Sequence, residues 1–226
     1  MSCGYGDNYV VRNVDMCVKN GEITTVIGPN GSGKSTLLKG ISGQVTLRDG
    51  SVIIDGEEIA DHSVFKRIRS GIAVVPQVAN VFSSLTVKEN LEIGGVLLGK
   101  KQREERLDYL AKNVSIIADN YDKKAGMLSG GQRQIIAFYR ALMLDPKVIL
   151  CDEPTAGLAP ITVRAVLQEL LQIKNRMCAV LLVEQNVESA LDVSDEVHVL
   201  VEGKLVHSSK PEMLKDKSLL KKLFFG

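Results

Sequence analysis

The sequence lacks what would mark a chain held on nucleic acid, a metal centre, a disulfide scaffold or a membrane span. Its 28 lysines and arginines stand against 27 aspartates and glutamates, a formal charge of +1 over 226 residues. The broad basic field that neutralises a nucleic-acid backbone is therefore missing, and no nucleic-acid partner is expected. Cys3, Cys17, Cys151 and Cys178 show no paired spacing, and His62, His198 and His207 do not cluster with them. This pattern predicts reduced, mostly buried thiols and argues against zinc or disulfides as the organising feature. Apolar runs such as residues 179–183 and 148–151 are strand-length, far short of the roughly 20 residues that cross a bilayer. No secretory signal opens the chain. The expectation is a soluble, cytoplasmic protein whose membrane role, if any, comes through a partner.

What is present suits one domain, or one core carrying an insertion, with enough length to bury a sizeable core. Residues 10–18 alternate as a strand would, and residues 51–59 hold Asp55-Gly56 between strand-like flanks, a hairpin signature. Later come short runs at residues 23–27, 72–75, 148–151 and 180–183, apolar on both faces and each followed by a loop or helix signal. Such runs fit a buried parallel sheet. Between residues 77 and 145 the texture turns helical, with Val87-Leu91-Val96, Leu107-Leu110-Val114 and Ile135-Phe138-Leu142. The division expected is a nucleotide-binding α/β core with an antiparallel β subdomain over residues 1–76 and 146–226, and a helical subdomain over residues 77–145. The Lys-rich tail, residues 212–225, reads as one or two amphipathic helices forming a packed cap.

The chemistry begins at Gly28-Pro29-Asn30-Gly31-Ser32-Gly33-Lys34-Ser35-Thr36, which follows one apolar strand and precedes Leu37-Leu38. That is the strand–loop–helix context of a phosphate-binding loop. Its glycines let successive N–H groups wrap an anion at a helix N-terminus, Lys34 reaches the β- and γ-phosphates, and the Ser35 hydroxyl can ligate Mg²⁺. Residues 148–151 then deliver Asp152 and Glu153 to the sheet edge where ligands of open α/β folds gather. Asp152 is the expected Mg²⁺ partner, and Glu153 the group that orients and polarises an attacking water. A second Gly-rich segment, Leu128-Ser129-Gly130-Gly131-Gln132, opens a helix expected over residues 132–144. It is a Ser N-cap with flexible glycines and also another positive helix end facing an anion.

With these motifs in this order, and Gln77 after Val74-Val75-Pro76, the chain resembles the ATP-binding cassette (ABC) ATPases over nearly its whole length. The resemblance implies a P-loop NTPase core with an inserted helical subdomain, and ATP and Mg²⁺ as cofactors. It implies that Gln77 senses Mg²⁺ and the water, and that Tyr5, just before Gly6, stacks on adenine. It further implies that Ser129, Gly130, Gly131 and Gln132 close over ATP held by the phosphate loop of a second ATPase subunit, identical or not. Integral membrane permease subunits would be partners, and a solute-binding protein an indirect one. The ATPase would then lie peripherally on the inner face of the membrane. Val81, Phe82 and Leu85 are candidates for the permease-docking groove, or equally for the core of the helical segment.

Two departures from the common family pattern stand out. Ala159, within Gly157-Leu158-Ala159-Pro160, replaces an Asp found in many members, and Gln185, within Val183-Glu184-Gln185-Asn186, replaces the usual His at the switch position. Gln185 can still donate a hydrogen bond to a γ-phosphate but cannot become cationic. Both segments are similar to those of the LivF-type ATPases of branched-chain amino acid importers. Gln77, where that subgroup often has Glu, is nearer to lipopolysaccharide-export and general importer ATPases. A soluble cassette of iron-sulfur assembly or DNA repair, a lipopolysaccharide-export ATPase, and a degenerate cassette that only binds ATP are the alternatives. The resemblance also implies that the chain enters its first strand late, leaving an incomplete antiparallel sheet edge around Tyr5.

Overall fold

The computed structural model describes residues 1–225. In chain order the strands are β1 (Ser2–Tyr5), β2 (Asn8–Val11), β3 (Ile23–Ile27), β4 (Thr46–Asp49), β5 (Ile53–Ile54), β6 (Glu57–Glu58), β7 (Ile72–Val75), β8 (Val148–Asp152), β9 (Ala179–Glu184), β10 (Glu196–Val201) and β11 (Lys204–Ser209). The helices are α1 (Lys34–Ser42), α2 (Val64–Arg69), α3 (Val87–Gly94), α4 (Lys100–Asn113), α5 (Ser115–Ala118), α6 (Gly130–Leu142), α7 (Pro160–Lys174), α8 (Val187–Leu191) and α9 (Lys217–Phe225).

A six-stranded sheet in the order β11-β10-β3-β9-β8-β7 forms the centre. Its pairings are parallel except for the hairpin β10–β11. Alternation along the strands explains how it is covered on both sides. On β8 and β9, Ile149, Cys151, Val180 and Leu182 face a cluster with Leu91, Ile117, Ile136, Phe138, Val166 and Leu170. Leu150, Leu181 and Val183 face the opposite cluster with Val26, Leu37, Leu38, Val11 and Ile59. Period-two side-chain alternation thus feeds two cores from one strand, and each fully buried aliphatic or aromatic side chain contributes about 1.5–3 kcal/mol. A third cluster gathers Ile27, Val197 and Val199 with Ala190, Leu191 and Leu214 near the tail.

Helices α3 to α6 lie between β7 and β8 in the chain. The first of them starts at a capping box in which Thr86 and Glu89 satisfy each other's backbone N–H groups. Fully buried Asn90 then binds the preceding turn, accepting from Phe82 N–H at 2.8 Å and donating to Phe82 O at 3.0 Å and Thr86 O at 2.8 Å. Among the described residues, no helix is long and apolar enough to cross a membrane.

Several expectations need correction. The alternation over residues 10–18 yields a strand only through Val11; residues 12–18 instead run without regular structure, although Val14 is buried. The first strand is not a fragmentary edge. The chain segment Ser2–Tyr5 is the middle strand of a sheet ordered β2-β1-β4, hydrogen-bonded on both sides. The helix expected from residue 132 begins at Gly130 and ends at Leu142, because Ser129 caps it three residues earlier than Gln132 would suggest. Strand β10, which pairs parallel with β3, was not singled out in the sequence. The hairpin at Asp55-Gly56 is present, with Ile54 opposite Glu57. The tail forms a 3-10 turn at Pro211–Lys215 followed by α9, and Gly226 lies outside the described residues.

Candidate active site

The C-terminal ends of β3, β9, β8 and β7 are neighbours in the sheet, and each delivers one piece of the site. From β3 the chain enters the phosphate loop and α1. Here the backbone demands glycine: Gly33, the N-cap of α1, has φ 104°, a conformation that L side chains rarely adopt. A Cβ on Gly28 would lie 2.1 Å from the Leu200 carbonyl oxygen. The Ser32 hydroxyl is buried without a hydrogen-bond partner. A positive helix end, a glycine-bearing loop and an orphaned hydroxyl together fit an anionic phosphate chain.

Lys34 is 4% exposed and curls back over this loop, donating to Gly28 O at 2.9 Å and Pro29 O at 3.1 Å. Its ammonium also stands 3.6 Å from Glu153 Oε1. Ser35 Oγ donates to Asp152 Oδ1 at 2.9 Å. From the end of β7, Gln77 Nε2 donates to Glu153 Oε2 at 3.0 Å. Lys34, Ser35, Gln77, Asp152 and Glu153 therefore meet within one chain. The Ser35 hydroxyl and the Asp152 carboxylate are hard oxygen donors, the chemistry that Mg²⁺ selects while keeping places for water and phosphate oxygens.

Glu153 carries a backbone strain, with φ 44°, a region sparsely used by residues other than glycine. Its N–H donates to Val183 O at 2.9 Å and its carbonyl accepts from Ala156 N–H at 3.1 Å. These bonds force the side chain off the strand end and towards Lys34 and Gln77.

The remaining residues sit apart from this knot. Tyr5 ends β1 with its ring half exposed, beside Gly6 in the turn to β2. Gln185 is exposed just past β9, and its N–H donates to Glu184 Oε2 at 3.2 Å. Ser129 and Gln132 form a capping box: Ser129 Oγ accepts from Gln132 N–H at 3.3 Å, and Gln132 Oε1 accepts from Ser129 N–H at 2.9 Å. None of these bonds reaches the phosphate loop. Gly131 is packed so that a Cβ would fall 1.9 Å from Thr162 Cγ2. Ala159 provides the N-cap backbone of α7 without a side-chain bond, leaving Pro160 at the first helical turn. Of the three residues left open between docking groove and core, Val81 belongs to the core, 7% exposed, while Phe82 lies outside beneath the Arg140 guanidinium at 5.3 Å and Leu85 is half-buried.

Two polar links escaped the sequence reading. Asn80 donates to Gln134 on α6, tying the segment after Gln77 to the helix that Ser129 caps. Glu184 is 1% exposed and accepts from Thr155 N–H at 3.1 Å and Thr155 Oγ at 2.8 Å. Burial raises its carboxyl pKa above the ordinary range, opposed by the Thr155 and Gln185 hydrogen bonds and reinforced by the charge of Glu153. The available signal was a carboxylate closing an otherwise apolar strand.

The family model described as ABC transporter matches residues 11–156. A probable branched-chain amino acid transport ATP-binding protein LivF of Archaeoglobus fulgidus is 38% identical, covering 100% of this chain and 96% of that protein. The high-affinity branched-chain amino acid transport ATP-binding protein BraG of Pseudomonas aeruginosa is 40% identical over 91% of this chain and 88% of its own. The lipopolysaccharide export system ATP-binding protein LptB of Haemophilus influenzae is 36% identical, covering 98% and 93%. Among solved structures, a nucleotide-free ATP-binding cassette from an ABC transporter superposes with a TM-score of 0.87 at 27% identity, covering 100% of this chain and 96% of that one. A dimeric cassette in a post-hydrolysis state bound to ADP and phosphate gives 0.78 at 28% identity, covering 93% and 95%. The loop, strand ends and capped helix described above thus occur in a chain that belongs to the ABC transporter family as an ATP-binding, ATP-hydrolysing subunit.

Proposed function

We propose that this ATPase powers import of branched-chain amino acids through separate membrane subunits, working as a pair of cassettes peripheral to the inner face of the cell membrane. The observation that carries the catalytic part is the convergence of Lys34, Ser35, Gln77, Asp152 and Glu153 at adjacent strand ends. The similarity to LivF and BraG supports the solute.

In this reading residues 28–36 hold the triphosphate, with Lys34 exchanging its loop carbonyls for β- and γ-phosphate oxygens, and Tyr5 offers its half-exposed ring to adenine. Ser35 and Asp152, with Gln77 nearby, hold Mg²⁺, which neutralises charge developing on the phosphate oxygens. Glu153 accepts a hydrogen bond from the attacking water and orients it. Gln185 donates to the γ-phosphate from the end of β9, between β3 and β8. Ser129, Gly130, Gly131 and Gln132 close on the partner's ATP, since their own bonds leave them outside their own phosphate loop. Phe82, exposed beside Arg140, belongs to the face that meets the permease.

Co-reconstitution of the ATPase with its membrane subunits in vesicles tests the reading. Leucine uptake should require ATP and disappear with Glu153→Gln. The 36% identity to LptB and the presence of Gln77 favour lipopolysaccharide export as the second reading. ATPase stimulation by lipopolysaccharide, with no response to a leucine-loaded binding protein, would replace the first by the second.

A further inference from the structure

We propose that Glu184 is a positioning residue for hydrolysis: its buried carboxylate clamps the turn that follows Glu153 to the strand end that presents Gln185. The inference rests on the reading of Glu153 as the water-orienting carboxylate. It concerns a buried residue whose side-chain bonds go to Thr155 and to the Gln185 backbone.

Glu153 keeps its left-handed backbone, φ 44°, only if its surroundings over-determine it. One restraint is Glu153 N–H to Val183 O at 2.9 Å, a bond to the residue just before Glu184. The other lies two residues on. Glu184 Oε1 takes both the N–H and the hydroxyl of Thr155, at 3.1 and 2.8 Å. Its second oxygen, Oε2, takes Gln185 N–H at 3.2 Å. One side chain thus bridges both segments that face the γ-phosphate. Thr155 is itself 5% exposed, so water does not substitute readily for the lost acceptor.

The link extends further. Leu158 N–H donates to Thr155 O at 3.2 Å, and a Cβ on Gly130 would sit 2.9 Å from Leu158 Cδ2. The clamp therefore lies on the packing path from the switch strand to the start of α6. A buried ion without a cationic partner is costly. Its three charge-assisted acceptor bonds offset that cost and need a carboxylate, because an amide at this place has one acceptor oxygen and must turn N–H groups on Thr155 or Gln185.

Two variants separate positioning from mere support of the fold: Glu184→Gln, which keeps shape, and Thr155→Val, which removes only the hydroxyl donor. ATP turnover at saturating and limiting ATP, nucleotide Kd by fluorescence titration, and Tm should be measured on the full chain, with Glu153→Gln alongside. The expected result is a kcat lower by about 10- to 100-fold for Glu184→Gln and about tenfold for Thr155→Val, with nucleotide Kd within twofold of wild type. The double variant should be no slower than the slower single, since both break one unit. Wild-type kcat in Glu184→Gln, or a loss of nucleotide affinity and Tm in step with kcat, would overturn the clamp. A Glu153→Gln enzyme with wild-type turnover would instead condemn the assignment of Glu153 itself. An inactive Glu153→Gln beside a normal Glu184→Gln would sink only the clamp.

Discussion

The phosphate-loop region and the Ser129–Gln132 region are both glycine-bearing helix starts, yet they satisfy themselves in opposite ways. At the first, Gly33 supplies no side-chain cap, and the polar groups around it turn to the catalytic strand ends: Ser35 to Asp152, Lys34 to Glu153. At the second, Ser129 and Gln132 complete a capping box between themselves. The first region is half of a site already assembled by its own sheet. The second satisfies its own polar groups, stays partly exposed and sends neither cap bond to the phosphate loop, which is what a surface needs if it is to close on nucleotide carried by another copy. A capped helix end loses little on meeting a partner because its geometry is preset.

The comparison can be broken most forcefully at the assembled half. Glu153→Gln should lower ATP turnover by about 100- to 10,000-fold while nucleotide Kd changes only severalfold, measured by phosphate release and by titration. At the other half, Ser129→Arg should lower turnover by about 100-fold and leave nucleotide binding by the isolated chain intact. Mixing the two inactive proteins then sharpens the contrast. If each site combines one chain's phosphate loop with the other's Ser129 segment, mixed dimers contain one intact site and activity returns. Continued inactivity of mixtures that demonstrably exchange subunits would mean that both halves act within one chain.

Smaller effects separate capping from catalysis. Thr86→Ala and Ser129→Ala break the same kind of capping box, each costing about 1 kcal/mol, or about 2–4 °C in Tm for a chain of this size. Only Ser129→Ala should also slow hydrolysis. Equal turnover in the two variants would make the Ser129 segment a simple helix cap.

The smallest effect lies on β10, beside the strand that enters the phosphate loop. Burial lowers the His198 pKa below its ordinary value, against the opposing pull of Glu196, and Nδ1 pairs with Ser208 Oγ at 2.7 Å. As pH falls below about 6.5, the unfolded chain takes up this proton before the folded one. Stability is therefore lost on acidification, down to the lowered folded value. His198→Gln should flatten that part of a Tm-against-pH curve without altering turnover at neutral pH.

How much was legible beforehand differs between elements. The parallel strands are visible because β3, β8 and β9 are buried over most of their lengths and carry runs of apolar and β-branched residues, with acidic residues only at the ends of β8 and β9. Strand β10 was harder to see, since Glu196 and His198 interrupt its apolar pattern. The short β1 is hard to read because only Tyr5 of its four residues strongly favours a strand, and hydrogen-bonded partners on both sides hold it. Val81 and Phe82 are adjacent and both apolar, so nothing local says that one enters the core and the other remains outside.

By itself the sequence determined the local chemistry: a glycine-bearing anion loop, a carboxylate pair at a strand end, a Ser-x-x-Gln helix start. These depend on backbone conformations and side-chain types confined to a few consecutive residues. Only the tertiary structure decided which of them share a site. Ser35 meets Asp152 across 117 residues, Gln77 meets Glu153 across 76, and Thr155 meets Glu184 across 29. Those meetings follow from strand order and register, which are selected by how two faces of one sheet pack into their cores.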